Sequence, residues 1–145
     1  MTVADHILHR LAFFDGKVVI TTLPVTSQYA AERRLFTDKG EMAQIANRAE
    51  ERFVHLLYWD LKPGLDRGHH YHARKWESLY VIAGKLELHV KDNETGKVLT
   101  EILTAGMKVT IAPQCPHAFR ALEYSQTLEF HTDPYDESDT SKAEL

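Results

Sequence analysis

Between residues 17 and 131 the chain is a succession of short β-branched and aromatic runs, each closed off by Gly, Pro or a polar turn. That punctuation leaves few folds open. Residues 17–23 are β-branched and stop at Pro24, and residues 52–61 are rich in Val, Leu, Tyr and Trp and stop at Pro63-Gly64. Residues 78–83 and 85–91 form two runs divided by Gly84. In the second, Leu86, Leu88 and Val90 alternate with Glu87, His89 and Lys91, the period-two pattern of a strand with one face buried. A polar hairpin loop at 92–97 returns the chain through 98–103, Ala105-Gly106 turns it again, and further strands are expected at 108–112, 118–122 and 126–131. So many short strands predict an all-β fold, a jelly-roll sandwich or barrel. Helix is expected only at 27–35, opened by Ser27 as an N-cap, and at 42–51, where strand and loop is an equal alternative. The acidic tail 133–145 is expected to run over the surface.

The chain is long enough, at 145 residues with 43% hydrophobic and 26% charged side chains, to enclose one core as a single domain. A net charge of -4 offers nothing to attract nucleic acid. No apolar run approaches the roughly 20 residues of a membrane span, so no membrane partner is expected. Residues 1–9 lack the charged-then-apolar order of a signal peptide, and the expected location is cytoplasmic. Cys115 is the one cysteine, which excludes an internal disulfide and fits a reducing compartment.

Chemistry concentrates between Gly64 and Gly84. His70 and His72, two apart on a strand, leave the same face, so their imidazoles can converge on one point. Glu77 follows after a short polar turn. Two neutral imidazoles and a carboxylate suit a divalent transition metal (Zn, Fe, Mn or Ni) and leave positions open for water or substrate. His69 and Tyr71 fall on the opposite face by the same alternation. With the metal bound, His69, His131 and an uncoordinated Glu77 are the candidate bases, and Tyr58, Tyr71 and Tyr80 the candidate phenolic acids. His131 lies near Glu129 on the last strand, opposite Leu128 and Phe130, and strand register decides which pair faces the pocket. Arg67 reads equally as a contact to a phosphate or carboxylate and as an exposed turn arginine. Cys115 reads as a packing thiol and His89 as an outward polar residue, while His6, His9 and His55 have no partner spacing.

Gly64, five residues, His70-x-His72, four residues, Glu77, six residues and Gly84 resemble the first cupin motif at every fixed position. In the second motif Gly106 and His117 stand at the expected spacing, but Ala112 replaces the usual Pro, Gln114 the Gly and Ala121 the Asn. The resemblance covers about residues 36–131, between an N-terminal arm (1–35) and the polar tail. It implies a double-stranded β-helix with His70, His72, Glu77 and His117 facing inward around a metal.

Segments 35–45, 53–59 and 67–72 look like cupins that epimerise or isomerise nucleotide-linked sugars, above all in Arg67-Gly68-x-His70-x-His72. In the rhamnose-pathway epimerases the histidine matching His70 is the general base, and in the sugar ketoisomerases both histidines are present and can work without metal. A zinc-holding epimerase domain of capsular polysaccharide synthesis shares the order His-Tyr-His and then Lys75-x-Glu77. The resemblance therefore implies an isomerase or epimerase of a sugar derivative, moving a proton beside a carbonyl, with catalytic roles at His70 and Glu77 and substrate contacts at Arg67 and Tyr58. His70 cannot be metal ligand and free base at once. An Fe(II)-dependent dioxygenase, a non-catalytic small-molecule binder and a relic site that binds nothing are the alternatives. Similar small cupins form homodimers through N-terminal strands, for which 17–23 is the candidate.

Overall fold

The computed structural model describes residues 9–145; residues 1–8 of the expected arm, with His6, lie outside the described residues. Twelve strands follow in order: β1 (His9–Phe13), β2 (Val18–Thr22), β3 (Val25–Thr26), β4 (Arg34–Thr37), β5 (Gly40–Ala43) and β6 (His55–Leu61). Then come β7 (Asp66–His72), β8 (Glu77–Lys91), β9 (Val98–Thr104), β10 (Met107–Ile111), β11 (His117–His131) and β12 (Thr140–Lys142). The main sheet runs β1-β2-β10-β8-β11-β7-β12, with β6 also on β11 and β9 also on β8, and β3-β4-β5 form a small separate sheet. The path is open, ending at β1 and β12, and not a closed ring of hydrogen bonds.

The runs separated by Gly84 in the sequence are one strand of 15 residues. So are the runs expected at 118–122 and 126–131, which join as β11. Each long strand changes partner part-way. Residues 77–80 of β8 pair with β10 and residues 85–91 with β9, while β11 pairs with β7 over 117–120 and with β6 over 125–131. The bend is possible because Gly84 takes φ +101°, and a Cβ there would fall 2.5 Å from Ser125 Cα. The concave faces close over Leu79, Val81, Leu86, Leu88, Val90 and Phe119, joined by Val18 and Ile20 of β2 and Trp59 and Leu61 of β6. This is the all-β jelly roll that the strand pattern predicts.

Two expectations are corrected, and one alternative is decided. Residues 27–35 contain no helix. Leu35, Phe36 and Thr37 instead enter β4, and Gly40 at φ +122° turns the chain so that Thr37 pairs with Gly40 in a hairpin. Residues 42–51 take the strand-and-loop alternative: Met42 and Ala43 end β5, one 3-10 turn forms at Ala49–Glu51, and Lys108 Nζ donates to the Ile45 carbonyl at 2.7 Å and to Glu51 Oε2 at 2.5 Å, tying the segment down as an extended strap. The tail is not merely superficial, since β12 pairs with β7 and the buried Asp139 accepts from the backbone N–H groups of Arg74 and Lys75 at 3.0 and 3.3 Å. Its acidic composition conceals a strand because one face of that strand needs no apolar cover. As for strand exchange, β2 is flanked within the chain by β1 on one side and β10 on the other, and the free edge belongs to β1.

Candidate functional site

Gly68 and His69 set the histidines. Both have positive φ (+100° and +57°), and the pairing of β7 with β11 slips by one residue between His117 and Ala118. This bulge turns His69 outward, where its Nε2 lies 3.2 Å from Asp66, and leaves His70 and His72 on the inner side. Gly68 is needed twice, since a Cβ there would also stand 2.8 Å from the His117 carbonyl. Glu77 is the first residue of β8 and His117 the first of β11, so strand ends bring the four side chains together.

Glu77 is at the centre. Its Oε1 lies 3.0 Å from His72 Nε2 and 3.9 Å from His70 Nε2, and its Oε2 lies 2.8 Å from His117 Nε2. All four donor atoms fall within 4.8 Å of one another. The outer nitrogens are held: His117 Nδ1 donates to the Cys115 carbonyl at 2.9 Å, and His72 Nδ1 meets the Thr140 hydroxyl at 3.3 Å. Such contacts fix ring orientation and aim Nε2 at a common centre. The Glu77–His117 approach is an ion-pair contact whose angles make no hydrogen bond, so Glu77 Oε2 and His117 Nε2 are buried without a hydrogen-bond partner. Two inward lone-pair atoms left in that condition fit a cation between them. Burial pushes the Glu77 carboxyl up, but the charge of His117 and the contacts of His117, His70 and His72 outweigh it and hold the group well below the usual carboxylate range. Burial pulls His117 down, and Glu77 outweighs that too, leaving the imidazole above its ordinary value.

Beside this cluster stands a second pair. His131 Nε2 lies 2.8 Å from Glu129 Oε2, and Glu129 Oε1 accepts from Trp59 Nε1 at 3.0 Å. His131 Nδ1 is 3.9 Å from Glu77 Oε1 and is buried without a hydrogen-bond partner. Two adjoining cavities, of about 530 and 330 Å³, share Leu57, His70, Glu77 and Glu129 in their walls. The larger is completed by His55, Lys75, His131 and the tail residues Tyr135, Thr140 and Lys142, and the smaller by Trp59, Arg67 and Phe119.

The sequence profile of the cupin domain matches residues 57–132, more than half of the chain. The chain belongs to the cupin family. Among solved structures, this cupin is similar to dTDP-4-dehydrorhamnose 3,5-epimerase from Sulfolobus tokodaii (TM-score 0.75, 16% identity, covering 93% of this chain and 81% of that one). It is also similar to a 3,4-ketoisomerase from Helicobacter canadensis (TM-score 0.71, 19% identity, 86% and 89%). A third is the sugar 3,4-ketoisomerase from Thermoanaerobacterium thermosaccharolyticum, solved with TDP (TM-score 0.70, 15% identity, 86% and 87%). No curated protein matches by sequence. At these identities the likeness concerns the fold.

Within this cupin, His70, His72 and Glu77 meet as their spacing predicts, and His117 joins them as the cupin resemblance implies. Gln114, which stands where the second motif usually has Gly, takes φ +64°, and Ala121 sits fully buried in the core. Arg67 lines the smaller cavity, its guanidinium donating to the Asp60 carbonyl at 3.0 and 3.1 Å and lying 5.5 Å over the Trp59 ring. Tyr58 is not brought to the cluster: it faces out from β6, 52% exposed, and accepts from Gln126 at 2.9 Å. Register puts Glu129 and His131 inward together. The residue that sequence reasoning set aside is His55, which stacks on His131 with ring centroids 5.1 Å apart and lines the larger cavity. Its alternation with the inward Leu57 and Trp59 was a signal within the sequence. Burial and then the charges of His131 and Lys75 depress its pKa, favouring the neutral ring.

Proposed function

We propose that this cupin is a divalent-metal-dependent isomerase or epimerase of a sugar derivative. In this reading His70, His72, Glu77 and His117 hold the metal and His131 moves the proton. The observation that carries it is the placing of an oriented histidine–glutamate pair against a four-donor cluster at the junction of two cavities. The solved structures similar to this chain are named as sugar epimerases and ketoisomerases, which supports a sugar derivative as the substrate class.

A divalent cation supplies Lewis acidity to the carbonyl oxygen of a bound substrate. The other parts of the reaction fall to the chain. Glu129 takes the hydrogen bond from His131 Nε2, which keeps the Nδ1 lone pair free on the cavity side. His131 Nδ1 then removes a proton from the carbon beside the carbonyl, and Glu129 stabilises the imidazolium while the proton is held. Return of that proton to the former carbonyl carbon, with the hydroxyl proton of the neighbouring carbon passing to the former carbonyl oxygen, completes an isomerisation with one base acting at carbon. With His131 as base, His70 serves only as ligand, and the conflict between its two roles disappears. Trp59 and Phe119 give the smaller cavity an apolar wall beside the cluster.

The test separates holding from chemistry. Elemental analysis of the purified chain is expected to give about one metal per chain, lost in His72→Ala and His117→Ala and kept in His131→Gln. Wash-in of solvent deuterium into a panel of aldoses, uronates, sugar phosphates and nucleotide-linked keto sugars, followed by NMR, is expected to fall about 10²–10⁴-fold in His131→Gln. Native-rate exchange in that variant, or metal content indifferent to His72 and His117, contradicts the proposal. Oxygen consumption coupled to substrate loss would instead favour the dioxygenase alternative.

A further inference from the structure

Lys75 is 3% exposed and lines the larger cavity, yet its ammonium makes no hydrogen bond and no ion pair among the described residues. Its position is imposed from behind, because Asp139 accepts from the backbone N–H groups of Arg74 and Lys75, and Thr132 Oγ1 accepts from that of Trp76. Among the described residues the cavity wall holds three acids and none pairs with Lys75; Glu137 lies exposed on the tail. Glu77 is held by three histidines, and Glu129 by Trp59 and His131. The Lys75 ammonium is not sealed in the core: its tip keeps contact with the cavity, where a ligand oxyanion can reach it. The one other lysine in the wall, Lys142 of β12, lies exposed and adds charge of the same sign. By contrast Lys108, as deeply buried, is neutralised by Glu51 and bonded to the Ile45 carbonyl, so an unpaired ammonium is not a general habit of this core.

We propose that Lys75 is an anion-binding residue of the cavity, and that the ligand of this cupin carries an oxyanion, a carboxylate or a phosphate, that pairs with Lys75 Nζ while the rest of the ligand reaches the histidine cluster. This deepens the isomerase reading, on which it rests for the sugar: the substrate becomes an acidic sugar derivative. A point-charge ammonium suits either oxyanion, and the cavity of about 530 Å³ has room for a six-carbon acid. Neutral sugars of the same shape would leave the Lys75 ammonium unpaired and would be selected against on that ground.

The experiment is binding without turnover, so it stands apart from any result on isomerisation. Galacturonate, glucose 6-phosphate, inorganic phosphate and neutral galactose are titrated into the purified protein by calorimetry, alongside Lys75→Met and Lys75→Arg, with thermal melts and metal content as checks. At least one of the two sugar acids is expected to bind ten-fold or more tighter than galactose, and whichever does so distinguishes carboxylate from phosphate. That preference is expected to vanish in Lys75→Met and to be kept within about three-fold in Lys75→Arg, with metal content unchanged in both. Equal binding of acids and galactose, undiminished acid binding by Lys75→Met, or binding of inorganic phosphate alone overturns the proposal. Acid binding that depends on Lys75 with no deuterium exchange in any sugar would leave this inference standing and remove the isomerase reading.

Discussion

Glu77 gathers four imidazoles, His72 and His117 within 3.0 Å and His70 and His131 at 3.9 Å, so its charge state governs the metal-free site. Its carboxyl is held below the ordinary value of 4.5 and the His117 ring above the ordinary 6.5. The signs follow from linkage. Glu77 contributes stability above its unfolded value and loses it as pH falls through the depressed folded one; His117 contributes below its unfolded value and loses it as pH rises through the raised folded one. In chelator-treated protein the pair's contribution is therefore complete between about pH 4.5 and 6.5 and fades on both sides. Melting temperatures across pH are expected to show this optimum, and Glu77→Gln to flatten it. Cys115 gives a second check. It is 1% exposed, and burial pushes its thiol up to about 11, so alkylation at pH 7.5 is expected only after denaturation. The convergence of His70, His72 and Glu77 was legible because period two and short spacing are local properties, and His117 entered only through the resemblance to the second cupin motif. His55 was set aside although its alternation with Leu57 and Trp59 pointed it inward, because its stacking partner lies on β11. Lys75 was read only as part of a motif, because its lack of a side-chain partner is not written in neighbouring residues.

At the scale of the element, Gly84 shows how a sequence breaker becomes a structural corner. Read locally it splits one apolar run into two, and the alternation on either side encourages that division. In the fold it lets β8 bend against the backbone of Tyr124 and Ser125, where the Ser125 hydroxyl accepts from the Lys85 N–H at 3.0 Å and donates to the Glu123 carbonyl at 2.9 Å. Gly84→Ala therefore combines a strained φ with a backbone clash and is expected to cost at least ~3 kcal/mol. Gly64→Ala carries only the strain of φ +79°, with open space around it, and is expected to cost about 1 kcal/mol. Chemical denaturation of the two variants measures the difference, and equal losses would mean that the corner tolerates a side chain. Strands were legible here, whereas the helix expected at 27–35 was misread and 42–51 was left between helix and loop, because residues 27–51 are fixed by long-range partners such as Lys108 and not by their own periodicity.

For the whole molecule, the metal proposed above would draw its ligands from three strands and stabilise the fold by mass action. At a free concentration 100 times its Kd the gain is about 2.7 kcal/mol, which raises Tm by roughly 5–10 °C for a chain of this size. Chelation is expected to reverse that shift and His72→Ala to abolish it, as scanning calorimetry would show. The jelly roll itself was legible from the strand count, but its closure was not, because partner and register are set by three-dimensional packing. That closure has a kinetic consequence. The two ends of β11, His117 and His131, lie about 46 Å apart along a fully extended strand, yet both come within 4 Å of Glu77 because the strand wraps around the core. Any excursion that straightens β11 pulls these two histidines apart. Escape of an ion from the centre would then share its barrier with the opening of the roll, and its residence time would serve as a clock for global unfolding.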